Sequence, residues 1–118
     1  MCIRDRLNIK DTLSTRSTID NVKSRIRIKV RCENLDTILK KVKAPSLIDF
    51  FSLDVEGDEF QVLKGINYKN YKFKFILVET YELHKIKIFL KKRGYRYAKK
   101  MSNRNDHLFA LNLSLIHI

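Results

Sequence analysis

Apolar positions recur along the chain with two alternating periods, and each change of period marks the border of a predicted element. In residues 25–31, isoleucine and valine alternate with basic residues, which predicts a half-buried strand. In residues 35–42 the apolar positions follow the helical spacing after Asn34, a typical helix cap. Pro45 prevents this helix from continuing. The first recognisable elements are therefore a strand and a short amphipathic helix.

The next apolar run, at residues 47–55, has a different composition from the first strand. Its apolar side chains occupy consecutive positions around Phe50 and Phe51, which is typical of a strand covered on both faces at the centre of a sheet. Asp58 and Glu59 then open a helix that ends at Gly65. The later pattern predicts a strand at 73–80, a helix at 81–93 ended by Gly94, and two short strands at 95–100 and 107–112 joined by the turn 102–106.

The order of these elements is strand, helix, strand, helix, strand, helix, strand, strand. Such alternation builds a layered α/β sheet whose strands are parallel where a helix connects them. The last connection is too short for a helix, so the final strand is expected to run antiparallel.

Composition limits the chain to one small folded domain with a strong basic excess. It has 118 residues, of which 44% are hydrophobic, and 25 Lys and Arg against 13 Asp and Glu give a net charge of +12. No apolar run reaches the roughly 18 residues that a membrane-spanning helix needs, so we expect no membrane span. The charge attracts polyanions at low salt but assigns no function.

The basic residues support an alternative function, a nucleic-acid or polyanion-binding α/β module. Cationic residues are interleaved with Tyr95 and Tyr97, and they are Lys91, Lys92, Arg93, Arg96, Lys99 and Lys100. Phosphates and stacked bases suit such a surface. The lysines, however, fall on helix faces opposite the apolar stripe, and no base-reading motif is present. A solvated face is the favoured interpretation, and nucleic acid is not the expected partner.

Both ends of the chain have the sequence of a translated sequencing adapter. Residues 1–6 (MCIRDR) and 113–118 (LSLIHI) are encoded by two DNA strings that are reverse complements of each other and resemble a transposon end. We therefore expect residues 7–112 to be the natural part, open at both ends. Without Cys2, Cys32 is an isolated thiol, which together with the lack of a visible signal predicts a cytoplasmic protein.

Acidic residues gather where the predicted parallel strands end. Asp54 and Glu56 follow one strand, Asp58 and Glu59 begin the next helix, and Glu79 closes the next strand. In open α/β sheets the functional crevice lies beyond these strand ends. Such a cluster suits a cation, hydroxyl groups or a general base. The residue spacing is equally typical of carboxylates that only favour a helix start or cap a turn.

Several motifs in order resemble the FkbM-type methyltransferases. Residues 53–65 (LDVEGDEFQVLKG) resemble the DVEGxE...VLKG signature of that family. Residues 34–39 (NLDTIL) resemble its TLDxLL helix, and 76–79 (ILVE) its next strand. Residues 93–95 (RGY) and 105–109 (NDHLF) resemble its closing elements. The match covers about residues 30–110, and the order of the motifs makes it more specific than any one of them.

The resemblance implies a fold and a chemistry. FkbM-type proteins are similar to other class I S-adenosylmethionine-dependent methyltransferases, which have a Rossmann-like seven-stranded sheet. This chain would be the C-terminal half of such a sheet, with parallel strands, an antiparallel last strand and residues 47–54 as its fourth strand. The implied cofactor is S-adenosyl-L-methionine. The implied acceptor is a hydroxyl of a sugar, polyol, glycan or macrolide-like small molecule.

The resemblance also orders the candidate residues. Asp54, near the transferred methyl, and Glu56 are the catalytic candidates, because a carboxylate can orient or deprotonate the acceptor hydroxyl while positioning does most of the work. Candidates for the acceptor pocket are Glu59, Glu79 and His84. We expect no metal site, since a lone thiol and the absence of a histidine pair at ligand spacing do not suit zinc.

One part of the implied cofactor site is missing from the sequence. The family builds it from a glycine-rich turn after the first strand and an acidic residue at the end of the second. The chain has only Gly57, Gly65 and Gly94, which are too far apart to form that turn. The sequence therefore predicts a fragment of a methyltransferase that does not itself transfer methyl groups, with an apolar sheet edge left open to pairing.

Overall fold

A computed structural model describes residues 31–115. The predicted strand at 25–31 lies outside these residues except for Arg31, and residues 1–6 lie wholly outside them. The described part contains α1 (Leu35–Lys41), β1 (Leu47–Leu53), α2 (Glu59–Lys64), β2 (Lys72–Glu79), α3 (Leu83–Lys91), β3 (Tyr95–Lys100) and β4 (Asp106–Leu111), followed by a 3-10 turn, Leu113–Leu115. Every element predicted after Asn34 is present, with bounds within about two residues.

Local capping explains where α1 begins and ends. The Asn34 side chain accepts a hydrogen bond of 2.8 Å from the Thr37 backbone N–H, which satisfies a donor that a helix start leaves without a partner. The helix ends at Val42, and Lys43 adopts a left-handed φ of 52° before Pro45. The predicted cap and stop of this helix are confirmed.

The four described strands form one mixed sheet in the order β1-β2-β4-β3. β1 and β2 are parallel, whereas β4 is antiparallel to both β2 and β3. β1, β2 and β3 therefore share one direction and the last strand opposes them. The predicted α/β class with an antiparallel last strand is confirmed for the described residues.

The central position predicted for β1 stays a prediction, because the predicted strand at 25–31 lies outside the described residues except for Arg31. The apolar run of β1 indicated the sheet centre, but among the described strands β1 pairs only with β2 and lies at the edge. Phe50 is 53% exposed, so residues 31–115 do not cover both faces of this strand. The β3–β4 hairpin adds to β2 through β4 and so makes β2 and β4 the inner pair of the described strands.

The core lies between the sheet and helices α2 and α3. Its fully buried side chains are Leu63, Phe73, Ile76, Val78, Ile86, Leu90 and Phe109. Phe60 and Phe89 join the two helices in an edge-to-face contact with ring centroids 5.2 Å apart. The Tyr95 hydroxyl accepts a 3.0 Å hydrogen bond from the Phe73 backbone N–H, which ties the first residue of β3 to β2. These contacts fix the strand ends on which the site is built.

Cys32 is disulfide-bonded in this structure. The other cysteine of the sequence, Cys2, lies outside the described residues. The expectation of an isolated thiol was made for residues 7–112, which do not include Cys2, and it stays a prediction for them. The cytoplasmic location, which rested partly on that thiol, stays a prediction. Within residues 31–115 no helix is long and apolar enough to cross a membrane.

Candidate functional site

The turn that follows β1 has an unusual backbone held by a buried carboxylate. Glu56 has a φ of 54° and Gly57 a φ of 109°. An added Cβ at Gly57 would meet no atom within 4 Å, so its backbone angle rather than lack of space requires glycine. Glu59, which is 4% exposed, accepts hydrogen bonds from the Gly57 N–H at 3.0 Å and the Val55 N–H at 3.3 Å. Glu59 thus fixes the turn that carries Asp54 and Glu56.

The end of β2 is held in a similar way by Thr80. This residue is buried, its N–H donates to the Asn105 carbonyl at 2.9 Å, and its hydroxyl oxygen accepts from the Glu82 N–H at 3.0 Å. The sheet register pairs Glu79 with Asp106 at the start of β4. Glu79 is therefore positioned between the turn after β1 and the turn before β4.

These two turns border an acidic cavity of about 380 Å³ beyond the carboxyl ends of β1 and β2. Its lining comprises Asp54, Glu56, Gly57, Glu59, Glu79, Thr80, Tyr81, Glu82 and Arg104. Four of the sequence candidates are thus brought together in one place. An open α/β sheet typically binds its ligand at this position.

The carboxylates in the acidic cavity act on one another. The pKa of Glu79 is raised above its ordinary value, chiefly by the negative charge of Asp54. Partial desolvation, a hydrogen bond with Asp54, and the charges of Asp106 and Glu56 raise it further. Glu79 therefore holds a proton to higher pH than an ordinary glutamate. Protonated, it can donate that hydrogen bond to Asp54.

A second, more apolar cavity of about 260 Å³ adjoins the first. It is lined by Glu33, Asn34, Leu35, Ile38, Phe51, Ser52, Leu53, Asp54, Val55, Gln61, Val62 and Gly65. The Oε1 atom of Gln61 is buried without a hydrogen-bond partner in the described part of the chain. Asp54 lines both cavities, so its carboxylate lies where an apolar and a polar ligand group would meet.

His84 is placed apart from the other candidates. It lies in the first turn of α3, is exposed, and is not among the residues that line the acidic cavity. Sequence reasoning instead missed Thr80, Arg104 and Asp106, which reach the site from the end of β2 and from the β3–β4 hairpin. Only the pairing of β4 beside β2 brings that hairpin to Glu79, and this pairing has no local sequence signal.

The carboxylates do not form a metal-binding arrangement. Within residues 31–115, no group of three or more His, Cys, Asp or Glu side chains has a spacing that could hold a metal ion. Carboxylate oxygens attract a positively charged organic group and accept hydrogen bonds from hydroxyl groups, and neither interaction needs a fixed coordination geometry. The acidic cavity suits ligands of these two kinds better than it suits a metal ion.

An α/β sheet with a ligand cavity at its parallel strand ends describes a broad class of enzymes, and comparison with known proteins narrows it. The model of the FkbM methyltransferase domain matches residues 1–97. The chain belongs to this family of methyltransferases. The resemblance read from the DVEG motif and its neighbours is confirmed.

The other comparisons add a short local similarity. The chain is 32% identical over 76 residues to Syntaxin UFE1 of Saccharomyces cerevisiae, and this match covers 62% of the chain but 22% of that protein. It spans only about a fifth of the curated relative and carries no activity to this chain. No solved structure matches.

Proposed function

We propose that the chain is part of an S-adenosylmethionine-dependent O-methyltransferase with a Rossmann-like sheet, and that the acidic cavity receives its acceptor. The acceptor is a hydroxyl of a sugar or another small polyol or macrolide-like molecule. The observation that carries the proposal is the convergence of Asp54, Glu56 and Glu79 beyond two parallel strand ends in a member of this family.

The described residues could bind parts of the cofactor, but they do not form a complete cofactor site. When bound, S-adenosyl-L-methionine supplies a methyl group on a positively charged sulfur. The carboxylates of Asp54 and Glu56 suit a positive charge beside the acidic cavity. The adjoining apolar cavity, with the unsatisfied Gln61 Oε1, suits a flat apolar group that carries a hydrogen-bond donor. No glycine-rich turn is present among the three glycines of the sequence.

In this proposal Asp54 orients the acceptor. Its carboxylate lines both cavities, so it can accept the hydrogen bond of a hydroxyl placed in the acidic cavity and take its proton. Glu56 extends the acceptor surface from the same turn. Glu79, whose pKa Asp54 raises, keeps its proton to higher pH than an ordinary glutamate and, when protonated, can donate a hydrogen bond to a second hydroxyl.

Positioning is the main contribution of this chain. Carbon–oxygen bond formation needs an in-line approach of the hydroxyl oxygen, and fixed geometry lowers the barrier more than strong acid–base chemistry does. The buried Glu59 keeps the Asp54 turn in place through two backbone hydrogen bonds. Glu59 is therefore a positioning residue rather than a catalytic one.

We also propose that the 118-residue chain does not itself transfer methyl groups. Its three glycines are separated by at least seven residues, so none of them can build the turn on which the family relies for the cofactor. We expect activity from a longer chain, in which the parent DNA encodes additional residues at the amino terminus.

The test is methyl transfer by that longer chain to a panel of sugar and polyol hydroxyls. We expect Asp54→Asn to lower kcat about 100-fold or more, since general-base contributions are typically of that size. Asp49→Asn is the matched control, because Asp49 lies on the same strand with an exposed side chain paired to Lys74. Equal activity of the two variants, or no transfer by the longer chain, would contradict the proposal.

A further inference from the structure

A third cavity lies at the opposite end of the sheet from the acidic one. It has a volume of about 350 Å³ and is lined by Lys87, Lys91, Tyr95, Arg96, Tyr97 and Asn112. We call it the basic cavity. β3 runs parallel to β1 and β2, so its first residues lie at the end of the sheet where β1 and β2 begin. α3 runs back to that end and delivers its last turns there.

The basic cavity contains three cations and no carboxylate. Lys87, Lys91 and Arg96 form no ion pair with any of the described residues, although five other basic side chains do. Positive charges that converge without an anion repel one another, and this repulsion is relieved when an anion binds. The charge pattern thus favours a negatively charged ligand.

A tyrosine ring holds one of the cations in place, and the helix dipole favours a second one. The Lys87 ammonium lies 3.8 Å from the centre of the Tyr97 ring, a cation–π contact that fixes its long side chain. The Tyr97 ring is fixed in turn by a hydrogen bond of 3.2 Å between its hydroxyl and His107 Nδ1 and by an edge-to-face contact with Phe109. Lys91 lies in the last turn of α3, where the helix dipole favours a cation.

The chemistry of the remaining lining groups matches a phosphate. Arg96 offers a planar set of N–H donors that suits two phosphate oxygens, and the two lysines add point charges around it. The exposed Asn112 amide can donate further hydrogen bonds at the rim. A carboxylate ligand carries one negative charge against the three positive charges of the cavity, whereas a phosphate or diphosphate dianion carries two and neutralises more of them.

We propose that the basic cavity binds the phosphate or diphosphate group of a small ligand. The cavity is distinct from the acidic one, because the two cavities share no lining residue. The proposal does not depend on methyl transfer. It assigns the binding to three cations around a single cavity, whereas a nucleic-acid-binding face would need an extended basic surface.

The test uses the 118-residue chain and inorganic pyrophosphate, with binding measured by titration calorimetry. We expect saturable binding that Arg96→Gln and Lys91→Gln each weaken about tenfold, the usual size for loss of one charge-assisted contact. Arg96→Lys should retain more affinity than Arg96→Gln. Lys69→Gln is the matched control, because Lys69 is exposed in the turn before β2 and lies outside the cavity. This variant should bind as the unchanged chain does.

Two independent exposed variants keep the test decisive if one of them fails to fold, as circular dichroism would show. A single-stranded oligonucleotide serves as the second ligand and distinguishes a defined phosphate site from general charge attraction. Absence of saturable pyrophosphate binding would overturn the proposal. Equal weakening by Lys69→Gln would also overturn it, as would binding of the oligonucleotide alone.

Discussion

The acidic and the basic cavity have lining residues of opposite charge although both are built on one sheet. Asp54, Glu56 and Glu79 lie beyond the carboxyl ends of β1 and β2, whereas Lys87, Lys91 and Arg96 lie around the first residues of β3. The separation follows from the topology. Parallel strands deliver the residues after them to one edge, and the returning helix delivers its last turns to the other.

The two ends also differ in what holds their charged groups. At the acidic end, backbone hydrogen bonds to Glu59 and Thr80 fix the turns, so the carboxylates are positioned by the main chain. At the basic end, side-chain contacts such as that of Lys87 with Tyr97 do this work. Main-chain positioning fixes the geometry of the acidic end, as the proposed catalysis requires, and side-chain positioning is sufficient for the proposed anion binding.

The largest expected effect comes from a core substitution that damages both ends together. Phe109 is 1% exposed, pairs in register with Ile76 and Tyr97, and lies between the two cavities along β4. We expect Phe109→Ala to lower the free energy of unfolding by about 3–5 kcal/mol in urea denaturation. Phe50→Ala, at a half-exposed edge position, should cost less than about 1.5 kcal/mol. An equal loss of unfolding free energy in the two variants would mean that Phe109 is not part of a core that supports both cavities.

A smaller effect should separate the two ends. Glu59→Ala leaves the Val55 and Gly57 N–H groups without their acceptor, which costs about 1–3 kcal/mol of stability. Hydrogen exchange at Gly57 should become faster, and Glu59→Gln should show an intermediate rate. Pyrophosphate binding at the basic cavity should not change. The control is Glu82→Ala, whose exposed carboxylate pairs only with Lys85 among the described residues. Faster exchange throughout the sheet would show that Glu59 supports the fold and not the turn alone.

The smallest effect is a pH dependence at the acidic end. Folding raises the pKa of Glu79 above its ordinary value of 4.5. Protonated Glu79 therefore favours the folded state, and this contribution to the free energy of unfolding is fully present below pH 4.5. It is lost as the pH rises through the raised pKa. Glu79→Gln should therefore raise the Tm slightly at neutral pH, and this gain should disappear below about pH 4.5. A gain that is the same at both pH values would contradict repulsion between Glu79 and Asp54 as its cause.

Local signals in the sequence sufficed for most elements and for part of the site. Asn34, Gly65 and Gly94 marked helix borders, and the structure confirms each helix near these residues. The motif at 53–65 brought Asp54, Glu56 and Glu59 forward, and the cavity contains all of them. A sequence motif can predict that such residues share a site, because residues close in sequence lie in the same turn.

Features that depend on strand order were not predictable in the same way. The apolar run in β1 is compatible with a central or an edge strand, and strand order depends on pairings that have no local sequence signal. The same pairing brings Arg104 and Asp106 to Glu79. His84 was selected for its closeness in sequence to Glu79, but its position in the first turn of α3 leaves it exposed.

The most direct test of the methyltransferase proposal is titration of S-adenosyl-L-methionine into the longer chain, extended at its amino terminus, beside the 118-residue chain. We expect saturable binding by the longer chain and none by the shorter one. Asp54→Asn in the longer chain should weaken binding less than it lowers the transfer rate, because Asp54 orients the acceptor. Binding by neither chain would contradict the methyltransferase proposal, and equal binding by both would contradict the missing cofactor turn.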